Sequence, residues 1–121
     1  MPIVDVQFKD GVLFAREEGR ITEADAREWA RMIATYIEEY HAPVVSIIDA
    51  TAVTYIEQDA RKVFVRAANM PQFVATAVVT NDPLTIQTAR VLGMMAPDQH
   101  THVFSTLEEA EAFVRDIIAP A

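Results

Sequence analysis

Val44-Val-Ser-Ile-Ile-Asp-Ala-Thr-Ala-Val-Thr-Tyr-Ile-Glu-Gln-Asp-Ala-Arg61 is the stretch on which the fold turns. Val44, Val45, Ile47 and Ile48 are β-branched residues that suit a strand covered on both faces. Asp49, Thr51 and Thr54 follow as a short polar turn, and Glu57, Gln58 and Asp59 stand just ahead of a helical pattern. In open α/β sheets the crevice beyond the carboxyl ends of the strands is where sites usually lie. The expectation is a buried strand, Val44 to Ile48, that delivers this polar corner to the surface as the working region of the protein.

Toward the N-terminus, Val4, Val6 and Phe8 alternate with Asp5, Gln7 and Lys9, the period of a half-buried strand. Asp10-Gly11 signals a hairpin, because glycine takes the positive φ of such a turn at little cost. A second strand over about Val12 to Glu18, closed by Gly19, should pair antiparallel with the first. Thr22 then reads as an N-cap, with Glu23 and Asp25 in the first turn where the helix dipole favours acids. Ala26, Trp29, Ile33, Tyr36, Ile37 and Tyr40 recur at helical spacing, and His41-Ala42-Pro43 ends the helix.

Toward the C-terminus, Ala60, Val63, Phe64 and Ala67 form the stripe of a second helix stopped by Pro71. Phe73 to Thr80 is a β-rich run, and Asn81-Asp82-Pro83 opens a third helix. Leu84, Thr88, Val91, Leu92 and Met95 are its expected inner face, with Gly93 a weak point near its end. His100 to Ser105 is a short fifth strand. Thr106 with Glu109 is a capping box for a last helix whose inner face is Ala110, Phe113, Val114 and Ile117. The order β-β-α-β-α-β-α-β-α predicts an α/β fold, a five-stranded mixed sheet with four helices and right-handed crossovers.

A chain of 121 residues, 51% of them hydrophobic and 23% charged, fits a single domain over 1–121 with one packed core. The net charge of -8 opposes non-specific binding to nucleic acid or to anionic membranes, since both require positive charge. With no cysteine there is no thiol nucleophile, disulfide or thiolate metal site. Met1-Pro2-Ile3-Val4-Asp5 lacks the features of a signal peptide, and no apolar run approaches the roughly 20 residues needed to cross a bilayer. The compartment expected is the cytoplasm.

The element order and the run Asp49 to Arg61 together resemble the STAS domain, the SpoIIAA-like fold of bacterial anti-sigma-factor antagonists. Its members carry an Asp-x-Ser-x-Val-x-Phe-Ile-Asp-Ser-Ser-Gly-Leu type of run. Here Asp49, Val53 and Ile56 match it, while Thr51 replaces a serine, Tyr55 the phenylalanine and Glu57 the second aspartate. Gln58 then occupies the place of the serine that partner kinases phosphorylate, Asp59 that of the next serine, Ala60 the glycine and Arg61 the apolar residue. Glutamine has no hydroxyl, so the resemblance implies a member in which that phosphate switch is missing. Asp59 offers a fixed negative charge at the helix start, less than the ≈ −1.5 to −2 of a phosphate. The segment Phe104 to Phe113 also resembles the last strand and helix of stand-alone STAS-like proteins.

Arg61, Lys62 and Arg66 are three of only ten basic residues and make the second helix a local positive patch. They read as a docking face for an acidic partner, or as the solvated side of an amphipathic helix. Asp49, Glu57 and Asp59 are three carboxylates in a short stretch, the material of acid–base chemistry only if their environments split their pKa values. His100 and His102 would share one strand face, but no third ligand at metal-binding spacing completes a zinc site. No nucleophile elbow or phosphate loop is present, and three glycines are few for the latter. Met94-Met95 would fill a core gap or line an apolar pocket.

The function expected is therefore a non-enzymatic STAS-like regulatory module with no cofactor or metal. It would contact a protein partner, such as a regulator of anti-sigma type or a second copy, through Thr51, Thr54, Glu57, Gln58, Asp59, Arg61, Lys62 and Arg66. The alternative is a small apolar or anionic ligand held in a pocket at the carboxyl ends of the strands, a reading shared with the similar architecture of CRAL-TRIO lipid-exchange proteins.

Overall fold

A computed structural model describes residues 3–9, 11–40, 44–95 and 100–118. The elements are β1 Ile3–Lys9, β2 Val12–Ile21, α1 Glu23–Tyr40, β3 Val44–Ile56, α2 Gln58–Ala68, β4 Phe73–Val79, α3 Pro83–Met94, β5 His100–Phe104 and α4 Leu107–Ile118. They build one five-stranded sheet in the order β1-β2-β3-β4-β5, with β1 and β2 antiparallel and every other pair parallel. The expected α/β class and element order are those observed.

Strands added one after another in the same direction by right-handed crossovers put the connecting helices on one face. Accordingly α1, α2 and α3 share a core with Leu13, Ala15, Ile48, Ala50, Val53 and Val78. The chain leaves β5 to place α4 on the opposite face, where Ala110 and Val114 pack on Val45, Ile47, Ala75, Ala77 and Val79. Residues on β3 and β4 thus serve both layers in alternation, which is why Val44 to Ile48 is buried without a break.

Helix starts are set by side chains the sequence places there. Thr22 Oγ1 accepts from the Asp25 N–H at 3.2 Å, and Asp25 returns the bond to the Thr22 N–H at 2.9 Å. Asp82 accepts from both the N–H and the hydroxyl of Thr85 at 2.9 Å, with Pro83 just inside α3. Those hydrogen bonds hold the Asp82 carboxyl below its usual pKa. Thr106 Oγ1 accepts from the Glu109 N–H at 3.2 Å.

Four expectations are corrected. The polar turn at Thr51 and Thr54 is strand: β3 continues to Ile56, paired with β2 as far as Ile21. Two register shifts along that pairing, between Arg16 and Glu18 and between Gly19 and Arg20, let the longer β3 follow β2 and break its alternation. Gly19 does not close β2 but supplies one kink, at φ +68°. In β1, Asp5 sits at φ +50° beside a register shift, so the inward alternation of Val4, Val6 and Phe8 is lost and Val6 is exposed. On α3 the buried residues are Thr85, Thr88 and Ala89, whereas Leu84, Val91 and Met95 face solvent. Gly93 is a close-approach site: a Cβ there would lie 3.1 Å from Cβ of Thr101 on β5. Asp10, His41-Ala42-Pro43, Ala96, Pro97 and the side chains of Tyr40 and His100 lie outside the described residues.

Candidate functional site

The corner forms where β3 outruns β4. The last β3–β4 pair is Asp49 with Val79, so beyond it β3 keeps a neighbour only on the β2 side. There Thr51, Ala52, Thr54 and Tyr55 are exposed, while Val53 remains in the core. Asp49 ties the first bulge, accepting from the Thr51 N–H at 3.1 Å and its hydroxyl at 2.7 Å. The Glu57 N–H donates to the carbonyl of Ile21 at 3.0 Å, which anchors the start of α2 to the end of β2.

Glu57 is the N-cap residue of α2 without capping it, because its carboxylate is taken by Arg20 at 2.8 Å. Gln58 and Asp59 open the helix and are exposed. Tyr55 is held between two guanidinium groups, Arg20 at 4.9 Å and Arg61 at 5.6 Å from its ring centre. Arg61 is half-buried and donates to the carbonyl of Ile56 at 3.0 Å, so this cation is partly spent on the corner's own geometry. Lys62 approaches Asp59 at 3.7 Å with both side chains in water. Arg66 is exposed and has no ionic partner among the described residues.

The three carboxylates do not converge. Asp49 has Arg16 at 3.7 Å, Glu57 has Arg20, and Asp59 has Lys62. Each meets its own cation on a separate part of the corner. Among the described residues no three His, Cys, Asp or Glu side chains gather as metal ligands would.

Beside the corner lies a surface that periodicity misassigned. Leu84 and Val91 on α3, with Met94 and Met95 at its end, are 44 to 74% exposed. Leu84, Val91 and Leu92 line a groove of about 240 Å³ together with Arg61 of α2, and Asn69 at the end of α2 reaches the carbonyl of Met95 at 3.4 Å. The signal for this was available: Thr85, Thr88 and Ala89 form an equally regular stripe of smaller residues. Small side chains are what a helix needs where it lies close on the sheet, as Gly93 on Thr101 also shows.

A second feature was missed entirely. Beneath α1, α2 and α3 the sheet face carries a largely apolar cavity of about 80 Å³, walled in part by Trp29, Ile48, Phe64, Phe73, Val78 and Glu17. Glu17 is 3% exposed, and no group among the described residues hydrogen-bonds its carboxyl. Burial, assisted by the nearby negative charge of Asp25, pushes its pKa up to about 7. The Nε1–H of Trp29 is likewise buried without an acceptor among the described residues. Period-two alternation on β2 would have exposed the anomaly, since Glu17 follows Leu13 and Ala15 on the inward face.

A mixed sheet β1-β2-β3-β4-β5 with a polar corner at the start of α2 defines the STAS type of α/β module. The chain belongs to the SpoIIAA-like family, whose profile matches residues 12–115. It is similar in structure to an uncharacterised protein of the DUF3478 family with a SpoIIAA-like fold from Shewanella loihica PV-4. The TM-score is 0.71 at 16% identity, over 93% of this chain and 91% of the other. It is also similar to an anti-sigma factor antagonist from Mycobacterium paratuberculosis, with a TM-score of 0.67 at 22% identity, over 94% and 93% of the two chains. No curated protein sequence matches it. No described helix is long and apolar enough to cross a membrane.

Proposed function

We propose that this protein is a non-enzymatic protein-interaction module of the STAS type, working without a phosphorylatable serine at the start of α2. The observation that carries this reading is a surface joined at Arg61, which stacks on Tyr55 of the exposed corner and lines the groove of Leu84 and Val91 on α3, while Arg66 extends the positive charge on the α1 flank of α2. Thr51, Thr54, Gln58 and Asp59 supply polar contacts, Lys62 and Arg66 positive charge, and Leu84 and Val91 an apolar core. Exposed apolar residues rimmed by charge are the usual anatomy of a protein contact. Glu57 and Arg61 act differently, by holding Tyr55 and the helix start in place. The partner favoured by the likeness to an anti-sigma factor antagonist is an acidic-faced regulator of anti-sigma type, with a second copy of this chain as the competing occupant.

The test is affinity capture from native extract with Arg66→Glu, Val91→Asp and, on the opposite face, Glu111→Lys as control. The partner retained by wild type and Glu111→Lys should be lost by both of the other variants. Equal capture by all four proteins would overturn the assignment, and sedimentation of the wild type separates self-association from a foreign partner.

A further inference from the structure

We infer that the cavity between the sheet and helices α1 to α3 is a binding site for a small amine with an apolar body, its ammonium group received by Glu17. Geometry comes first. Glu17 lines the cavity with its carboxyl unmatched, whereas two of the hydroxyls there are engaged: Thr76 is bonded by Ser46 at 3.1 Å and Thr85 bonds Asp82 at 2.9 Å. A buried carboxyl without partners is costly to maintain in a packed interior, and a ligand that donates to it removes that cost.

Charge selects the ligand class. Among the described residues that line the cavity there is no lysine, arginine or histidine, so Glu17 sets the sign of the potential inside it. Asp25 adds negative charge from the start of α1. A cation is therefore favoured over an anion at this site. The remaining walls, among them Ile48, Val78, Ala89 and Leu92, suit an alkyl body. The cavity lies against the mid-sheet face rather than beyond the strand ends.

Size limits the ligand. About 80 Å³ is roughly half the volume of an apolar cavity that accepts benzene, which suits about three to five non-hydrogen atoms. Phe64 and Ala68 of α2, Leu92 of α3 and Thr101 of β5 are only half-buried, so entry is on that side. This inference does not depend on the interaction surface proposed above.

Trp29 is the only tryptophan in the chain and is a cavity wall, so its fluorescence reports on this site alone. The experiment titrates the whole protein at pH 8 with propylamine, propan-1-ol and propionate at matched ionic strength. Propylamine should give a saturable change in Trp29 emission, in the millimolar range open to a ligand of about four heavy atoms. Propan-1-ol and propionate should bind at least about tenfold more weakly, the step of one lost charge-assisted contact. Glu17→Gln, which keeps the shape, should abolish the preference for the amine. Three results would each overturn the inference: no saturable response to propylamine, equal responses to all three probes, or undiminished amine binding in Glu17→Gln. The comparison of probes on wild type keeps the test valid even if the variant folds poorly.

Discussion

The two sides of α2 handle charge in opposite ways. On the outer side, Glu57 and Asp59 each stand within 4 Å of a cation, and water reaches Gln58, Lys62 and Arg66 freely. Beneath the inner side, where Phe64 and Ala68 meet the sheet, the single carboxyl of Glu17 is buried with no hydrogen-bond partner among the described residues. The outer charges are numerous and individually cheap to change, because solvent screens exposed pairs. The inner charge is solitary and expensive, because burial removes the solvation that would otherwise stabilise it. A surface built the first way tolerates exchange of partners, whereas an interior built the second way is a fixed feature of this chain.

That contrast is most directly tested by pH. The folded-state pKa of Glu17 is raised from 4.5 to about 7, so between those values the folded state holds more protons than the unfolded chain. Its contribution to stability is therefore greatest below pH 4.5 and is lost as pH rises toward and past 7, by about 3 kcal/mol in all. Urea unfolding of wild type and Glu17→Gln at pH 5 and pH 8 should show the variant gaining that much relative to wild type at the higher pH. Parallel behaviour of the two proteins would mean that Glu17 is solvated after all.

Apolar packing on the inner side comes next. Val63 is buried against the core, and Val63→Ala removes two methyl groups from it. The expected loss is about 2 kcal/mol, seen as a lower urea midpoint with an unchanged slope. On the outer side, Arg20→Ala breaks both the Glu57 pair and the stacking on Tyr55, yet these groups are largely in water. It should cost no more than about 1 kcal/mol. A larger loss than that of Val63→Ala would erase the distinction between the two sides.

Much of this was legible in the sequence because local chemistry speaks for itself. Thr22, Asp82 with Pro83, and Thr106 with Glu109 mark helix starts by hydrogen bonds that span only three residues. Val44 to Ile48 announces a strand buried on both faces, and Gln58 and Asp59 stand exposed at the start of α2 as their polarity suggests. The element order follows from alternating periods, and with it the family resemblance.

Tertiary structure alone decided three matters. Thr51 to Tyr55 became strand because β2 continues beside it, and the two register shifts that allow this leave no regular alternation to read. Leu84 and Val91 were left outside because α3 lies close on the sheet, where Thr85, Thr88 and Ala89 fit and larger residues do not. Glu17 acquired its unusual state because α1, α2 and α3 close over the sheet and exclude water. Periodicity and capping are short-range and are written in the chain, whereas desolvation is the joint act of segments that meet only when the chain has folded.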